Sequence, residues 1–489
     1  MTMIDPARPQ SIRPRLSLPL QALIEAIATM LAALATLACT MAIAPGLGPS
    51  VLAIVLTLSL SRSQLDRDRR GRIEAALVLP MVAFATLGVG WLLRHWPWAG
   101  AATFVMGMST SIWLRRFGPM ARRAGSLIAL PFVTLLTVPH VHAAADGVLP
   151  PPLVPIVIAL LALLWVNVAH LLMRRLCGPM QTPPEAPAFA PAVREDAPRL
   201  APSTRMAMQM AVALAAAFVV GFVFFAERWA WIVLTAFIVN SGNRGRLDVL
   251  HKSGMRVVGA AVGTVLALLF SLRLGLDGRT TAALMLASLF LGVWLRPFAY
   301  AWWALFVTVA LALLQGFDGG TPAAMLWQRL EEIAIGAVIG VSAAWFVLPI
   351  RSTDVLRRRL ADALGLLATA MDPASATRDP APFDAACQLV AQVAPPFRTV
   401  RWITRPTRHT QPADWVDALL ACRASADVLI THGAANGALR QAIGAARKAL
   451  REPETLLPAL RHLQKRLNDH ALEIGHDAIP KTRSAASEA

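Results

Sequence analysis

The sequence predicts an all-α, polytopic membrane protein with about twelve transmembrane helices. They form two parallel six-helix repeats, followed by a C-terminal helical cytoplasmic domain. Three observations predict it. Of 489 residues, 56% are hydrophobic and 15% charged, with a mean hydropathy of +0.55; soluble globular chains carry about 25% charged residues. Apolar runs near twenty residues recur, the length that crosses roughly 30 Å of hydrocarbon. A short apolar run, a basic turn and a further apolar helix occur together at 46–90 and again at 229–270.

Residues 1–17 read as a cytoplasmic N-terminal arm carrying Arg8, Arg13 and Arg15. No small-residue cleavage signature follows an apolar region, so the first span reads as retained. The first six-span repeat covers 18–177, with spans at 18–43, 47–60, 73–93, 98–114, 125–138 and 153–173. Residues 178–204 form a Pro- and Ala-rich cytoplasmic linker, a composition that extends instead of packing. The second six-span repeat covers 205–350, with spans at 206–225, 229–241, 257–272, 280–295, 299–315 and 330–349. From 351 to 480 the apolar residues become periodic, as expected for about five amphipathic helices punctuated by prolines that include Pro395 and Pro396. Residues 481–489 read as a disordered tail.

Lys and Arg concentrate before span one and after spans two, four, six, eight and twelve, while the turns after spans one, five and eleven carry none. That alternation places both termini in the cytoplasm. An even number of spans per repeat makes the repeats parallel, related by an axis along the membrane normal.

The net charge of +17 would suggest nucleic acid in a soluble chain. Here the basic clusters lie between apolar spans and suit anionic lipid. The chain has a single Tyr, so no stacking platform for single strands is expected, nor a nucleic-acid partner. The four cysteines show no CxxC spacing and no neighbouring His at ligand spacing, so neither a metal site nor a disulfide framework is expected. No P-loop, dinucleotide fingerprint, HExxH or GxSxG is present. No catalytic residues, no cofactor and no enzyme activity are therefore expected.

The second span of each repeat, 47–60 and 229–241, is unusually short. Short segments at corresponding positions point to a transport site, or to a tilted pair in a thinned bilayer. The candidate substrate or proton pathway residues are Glu25, Glu74, His170, Asn240, Asn243, Arg256, Glu331 and Glu332. Carboxylates in hydrocarbon face a cavity or a partner. Glu25 is the first candidate for a proton-coupling acid, or else an interfacial residue. Glu74, Glu331 and Glu332 follow Arg72 or Arg329 closely, a spacing that also suits interfacial salt bridges. Arg256 and Arg329 each open a span containing GxxxG, at Gly259–Gly263 and Gly336–Gly340. The glycines suit close helix packing, and the arginines would snorkel to lipid phosphate or meet an anion. Asn240 and Asn243 close the short eighth span, as turn caps or as substrate donors. His170 stands one turn from Asn167, as a polar pair or an interfacial residue.

The run from Arg256 through Gly259 and Gly263 to Thr264, and the run from Arg329 through Gly336 and Gly340 to Pro349, resemble the fusaric acid resistance family, which includes the aromatic acid exporters. The paired six-span halves and the helical tail also resemble that family. The resemblance implies proton-coupled efflux of small aromatic carboxylic acids or similar amphipathic compounds across the bacterial inner membrane. Its implied partners are membrane lipid and the small-molecule substrate, with a periplasmic adaptor, an outer-membrane channel and a homo-oligomer as open options. Larger members carry a substantial soluble region between the halves, where this chain has only its short linker. The alternative is a non-transporting membrane scaffold whose C-terminal domain recruits a partner.

Overall fold

The structure, a computed structural model, describes residues 18–62, 69–118, 153–177, 200–226, 228–274, 278–315, 322–374, 378–404, 410–433 and 436–477, with isolated positions between 121 and 150. The expected N-terminal arm, the basic turn at 63–68, most of span five, nearly all of the linker and the C-terminal tail lie outside the described residues.

Every regular element among the described residues is helical. The first group is α1 (Leu18–Ile43), α2 (Leu47–Arg62), α3 (Arg69–His95), α4 (Pro97–Trp113) and α5 (Val154–Cys177). The second is α6 (Pro202–Phe224), α7 (Trp229–Asn240), α8 (Arg246–Leu274), α9 (Gly278–Leu295), α10 (Tyr300–Gln315) and α11 (Pro322–Phe346). The third is α12 (Ser352–Ala370), α13 (Ala381–Thr404), α14 (Pro412–Ala421), α15 (Arg423–His432), α16 (Gly437–Ala449) and α17 (Pro453–Asp477). Among the described residues, five helices are long and apolar enough to cross a membrane: Pro19–Ile43, Val154–Leu176, Pro202–Phe224, Arg246–Phe270 and Gly278–Leu295. Shorter apolar helices are Leu47–Ser61, Trp229–Asn240 and Tyr300–Leu314. The chain is a multi-pass membrane protein.

Several helices extend past the expected apolar runs. α8 begins at Arg246, so most of the expected basic turn is helix. Asp248 lies in its first turn, where the helix dipole favours an anion, and its Oδ2 accepts from Arg244 N (3.0 Å) and the Lys252 ammonium (2.7 Å). α11 begins at Pro322, a residue whose missing N–H costs nothing in a first turn. The expected break at Pro395–Pro396 is corrected: α13 runs through both prolines. Pro396 and Phe397 are buried there, and that packing offsets the lost backbone bonds.

Contacts divide the chain into two compact units. The first comprises 1–111, 117–179 and 255–334. In it α1, α2 and α5 bury a common core that includes Ala32, Leu52, Leu56, Leu60, Ile158 and Val166. Met30 of α1 meets Ile54 and Leu58 of α2, Leu289 of α9 and Ala310 of α10. Threonines within these helices satisfy their own hydroxyls: Thr36, Thr40 and Thr57 donate to the carbonyls of Ala32, Thr36 and Ala53.

The second unit comprises 112–116, 180–254 and 335–489. α6 packs on α7, with Phe218, Phe222 and Trp229 forming an aromatic cluster. α12 to α17 enclose an apolar core that includes Leu356, Leu360, Phe383, Val390, Leu419 and Leu460. Opposite charges tie its surface: Arg398 and Arg401 meet Asp417, Arg401 also meets Asp414, and Arg423 meets Asp384.

Candidate functional site

In a membrane domain the informative side chains are the buried polar ones. Each charge removed from water carries a penalty of several kcal/mol unless it is paired. The described residues show two such groups, one in each unit.

The first group is Arg256, Arg329 and Glu332, which are 4%, 3% and 1% exposed. Glu332 follows Arg329 by three positions on α11, which sets the two on one helix face. The charges of Arg256 and Glu332 both act on Arg329, so the three share one neighbourhood. Two guanidinium groups against one carboxylate leave a formal surplus of one positive charge. The Arg256 Nε has no hydrogen-bond partner among the described residues. Arginine stays charged under all ordinary conditions. The arrangement is therefore chemically suited to one additional anion, preferably a planar carboxylate able to take a guanidinium fork.

The second group binds α6 to the end of α11. Gln209 Nε2 donates to Val347 O (2.9 Å) and Leu348 O (3.2 Å). Asn243 Nδ2 donates to Gln209 Oε1 (3.3 Å), and Arg205 donates to Pro349 O (2.6 Å). Leu348 sits at φ 45°, a left-handed conformation costly for a branched side chain. Asn240 Nδ2 bonds back to Ala236 O (3.0 Å). The side-chain oxygens of Asn240, Asn243, Thr235 and Ser253 are buried without a hydrogen-bond partner among the described residues.

The structure treats the expected pathway residues unequally. Arg256 and Glu332 are both buried and each acts on Arg329, which the sequence offers, like Arg256, as snorkelling to lipid phosphate or meeting an anion. Snorkelling is overturned for both arginines by their burial. Glu331 is exposed while Glu332 is buried, so the adjacent carboxylates face opposite ways. Asn243 takes part in the Gln209 network and Asn240 bonds its own helix. Glu25 is exposed on α1, its carbonyl accepting from Thr29, whose hydroxyl also meets that of Ser61 (2.7 Å). His170 is half-buried on α5, where Asn167 donates to Leu163 O (2.8 Å). Glu74 falls in α3, with its side chain outside the described ones. Gln209 was missed because one amide in an apolar helix carries no spacing signal. That Arg329 and Glu332 share a helix face was readable from the spacing of three. No group of His, Cys, Asp and Glu able to hold a metal occurs among the described residues.

The buried charges and both GxxxG spacings fall in one stretch of the chain, whereas Gln209 and the carbonyls it holds flank that stretch. Residues 212–343 match the family model described as fusaric acid resistance protein-like. The resemblance read from Arg256 and Arg329 is thus borne out, and this fusaric acid resistance protein-like segment contains Asn240, Asn243, Arg256, Arg329, Glu331 and Glu332. Glu25, Glu74 and His170 lie outside it. A curated relative, Multidrug resistance protein MdtO of Shigella flexneri, is 33% identical over 147 residues. That match covers 28% of this chain and 21% of the relative. No solved structure matches.

Proposed function

We propose that the chain is a proton-coupled efflux transporter of the bacterial inner membrane for small aromatic carboxylic acids or similar amphipathic compounds. The observation that carries this reading is the surplus positive charge of Arg256, Arg329 and Glu332, buried in the fusaric acid resistance protein-like segment. The relative's name, a multidrug resistance protein, supports efflux. The proposed topology has twelve spans in two parallel repeats, both termini cytoplasmic, and α2 and α7 at corresponding second positions. A periplasmic adaptor and outer-membrane channel belong to the proposal as partners.

In this mechanism the substrate carboxylate docks on Arg256 and Arg329 and shares their positive charge with Glu332. A membrane potential negative inside drives the anion outward, by about 2.3 kcal/mol per charge per 100 mV. Protonation of Glu332 would strengthen anion binding and send proton and substrate the same way, which opposes proton-driven export. The exchanging carboxyl is therefore assigned elsewhere, with Glu25 first. Glu25→Gln is expected to uncouple flux from the proton gradient without lowering membrane abundance.

The test is flux of an aromatic carboxylate panel from proteoliposomes. Arg256→Gln leaves a neutral Arg329–Glu332 pair, so the variant should fold with unchanged yield and lose at least about tenfold in flux, the weight of one charge-assisted contact. Flux equal to protein-free liposomes across the panel, from well-folded wild-type protein, would overturn the proposal. It would favour the scaffold reading, in which the C-terminal helices alone bind a partner.

A further inference from the structure

Trp402 and Ile403, near the end of α13, are 81% and 63% exposed and adjacent in sequence, whereas Val428 and Leu472, the other exposed large apolar residues of the C-terminal helices, stand singly. Their placement follows from two contacts. Arg244 Nη1 donates to Gln392 O (2.6 Å), and the Thr399 hydroxyl meets His251 Nδ1 (3.2 Å). Each contact joins residues 148 positions apart. The equal offsets, one just before α8 and one on it, set α13 beside the start of α8 and running in the same direction. Continued by one turn, that register sets Trp402 level with Gly254.

That level is where α8 changes character. Its first turns, RLDVLHKSGMR, are charged, and the following VVGAAVGTVLALLF is apolar. The change marks the bilayer surface on a span assigned to Arg246–Phe270. Gly254 is exposed, with nothing within 4 Å of where a side chain would begin. The two guanidinium groups nearest on α13, Arg398 and Arg401, are neutralised by Asp417 and Asp414, so they oppose no burial of their neighbours. A Trp ring beside an aliphatic residue at this depth is the combination that sits at the headgroup level of membranes.

We propose that Trp402 and Ile403 are a lipid anchor, inserting into the headgroup–acyl boundary beside α8 and holding the C-terminal helical domain against the membrane. The anchor rests on the membrane reading of α8 and is independent of transport.

The test uses the full-length chain in liposomes, with Cys39 and Cys177 replaced by alanine and the buried Cys387 and Cys422 retained. Trp402→Cys and Ile403→Cys are labelled separately with an environment-sensitive fluorophore. Ala374→Cys, exposed just past the far end of α12, is the aqueous reference; Val258→Cys, exposed within the span, is the lipid reference. Labels at 402 and 403 should emit to the blue of 374. Spin-labelled lipid should quench them on the order of twofold more than 374, as expected for interfacial side chains. If 258 is quenched by lipid while 402 and 403 respond only to an aqueous quencher, the anchor is wrong and the span stands. Shielding of 402 and 403 from both quenchers would mean a protein partner covers them, which also overturns the anchor. If 258 itself responds only to the aqueous quencher, the span assignment fails and takes the anchor with it.

Discussion

Cys387 and Cys422 show how burial sets chemistry at the level of one atom. Both lie in the core of the C-terminal helices, where loss of hydration pushes each thiol up to about 12. At pH 8 the thiolate share is then about one in ten thousand, and the thiolate is the nucleophile. Alkylation at pH 8 followed by mass spectrometry is expected to leave both unmodified in folded protein and to modify both after denaturation. The sign for stability follows from a folded value above the unfolded one. The contribution is complete below pH 9 and is lost as pH rises toward 12. The sequence supported the negative conclusion, no ligand spacing and no disulfide framework, but held no sign of burial. Charged residues divide in the same way. Arg256 was identifiable as an unusual charge at the head of an apolar run, whereas its burial depends on what α11 brings against it.

For helices, the GxxxG spacings were legible and the partners were not. A Cβ on Gly263 would stand 2.6 Å from Leu305 O, and one on Gly336 would stand 2.6 Å from Ile232 O. Neither backbone carbonyl can yield without moving a helix. Gly263→Ala and Gly336→Ala are therefore each expected to cost about 1–3 kcal/mol. Gly254→Ala meets nothing within 4 Å and should be neutral or stabilising by up to about 1 kcal/mol. Thermal unfolding of the three purified variants in one detergent checks the contrast; a shared direction of shift would contradict it. Helix ends were the weakest reading. Continuous apolarity locates only the lipid-facing stretch, so the charged first turns of α8 and the proline-led start of α11 were assigned to loops. α13 was cut at Pro395–Pro396 because local propensity cannot see the tertiary packing of Phe397.

At the scale of the whole molecule, the membrane class and helical content were plain from composition, but the grouping of helices was not. Contacts join α1 with α9 in one unit, and α6 and α7 with the C-terminal helices in the other. Nothing in a linear hydropathy pattern specifies such pairings. A chain ended at Ile350 loses Gln392 and Thr399 as partners of Arg244 and His251, and the Ser352 hydroxyl that accepts from Leu247 N. Its melting temperature in detergent is expected to fall by several degrees relative to the full chain, as loss of a few hydrogen bonds of about 1 kcal/mol each would produce. An unchanged value would mean that the C-terminal helices hang on the membrane helices without supporting them.

The elbow at 347–350 bears on modularity. Gln209 holds two of its carbonyls, Arg205 a third and Arg246 N a fourth, around a leucine in a left-handed conformation. A tether would need none of these. The smallest piece that could be transplanted as a working cassette is accordingly not the C-terminal helices alone. It must carry α6, α7 and the first turns of α8 with it, and a chimera joined at Ile350 inherits a hinge where the native protein has a weld.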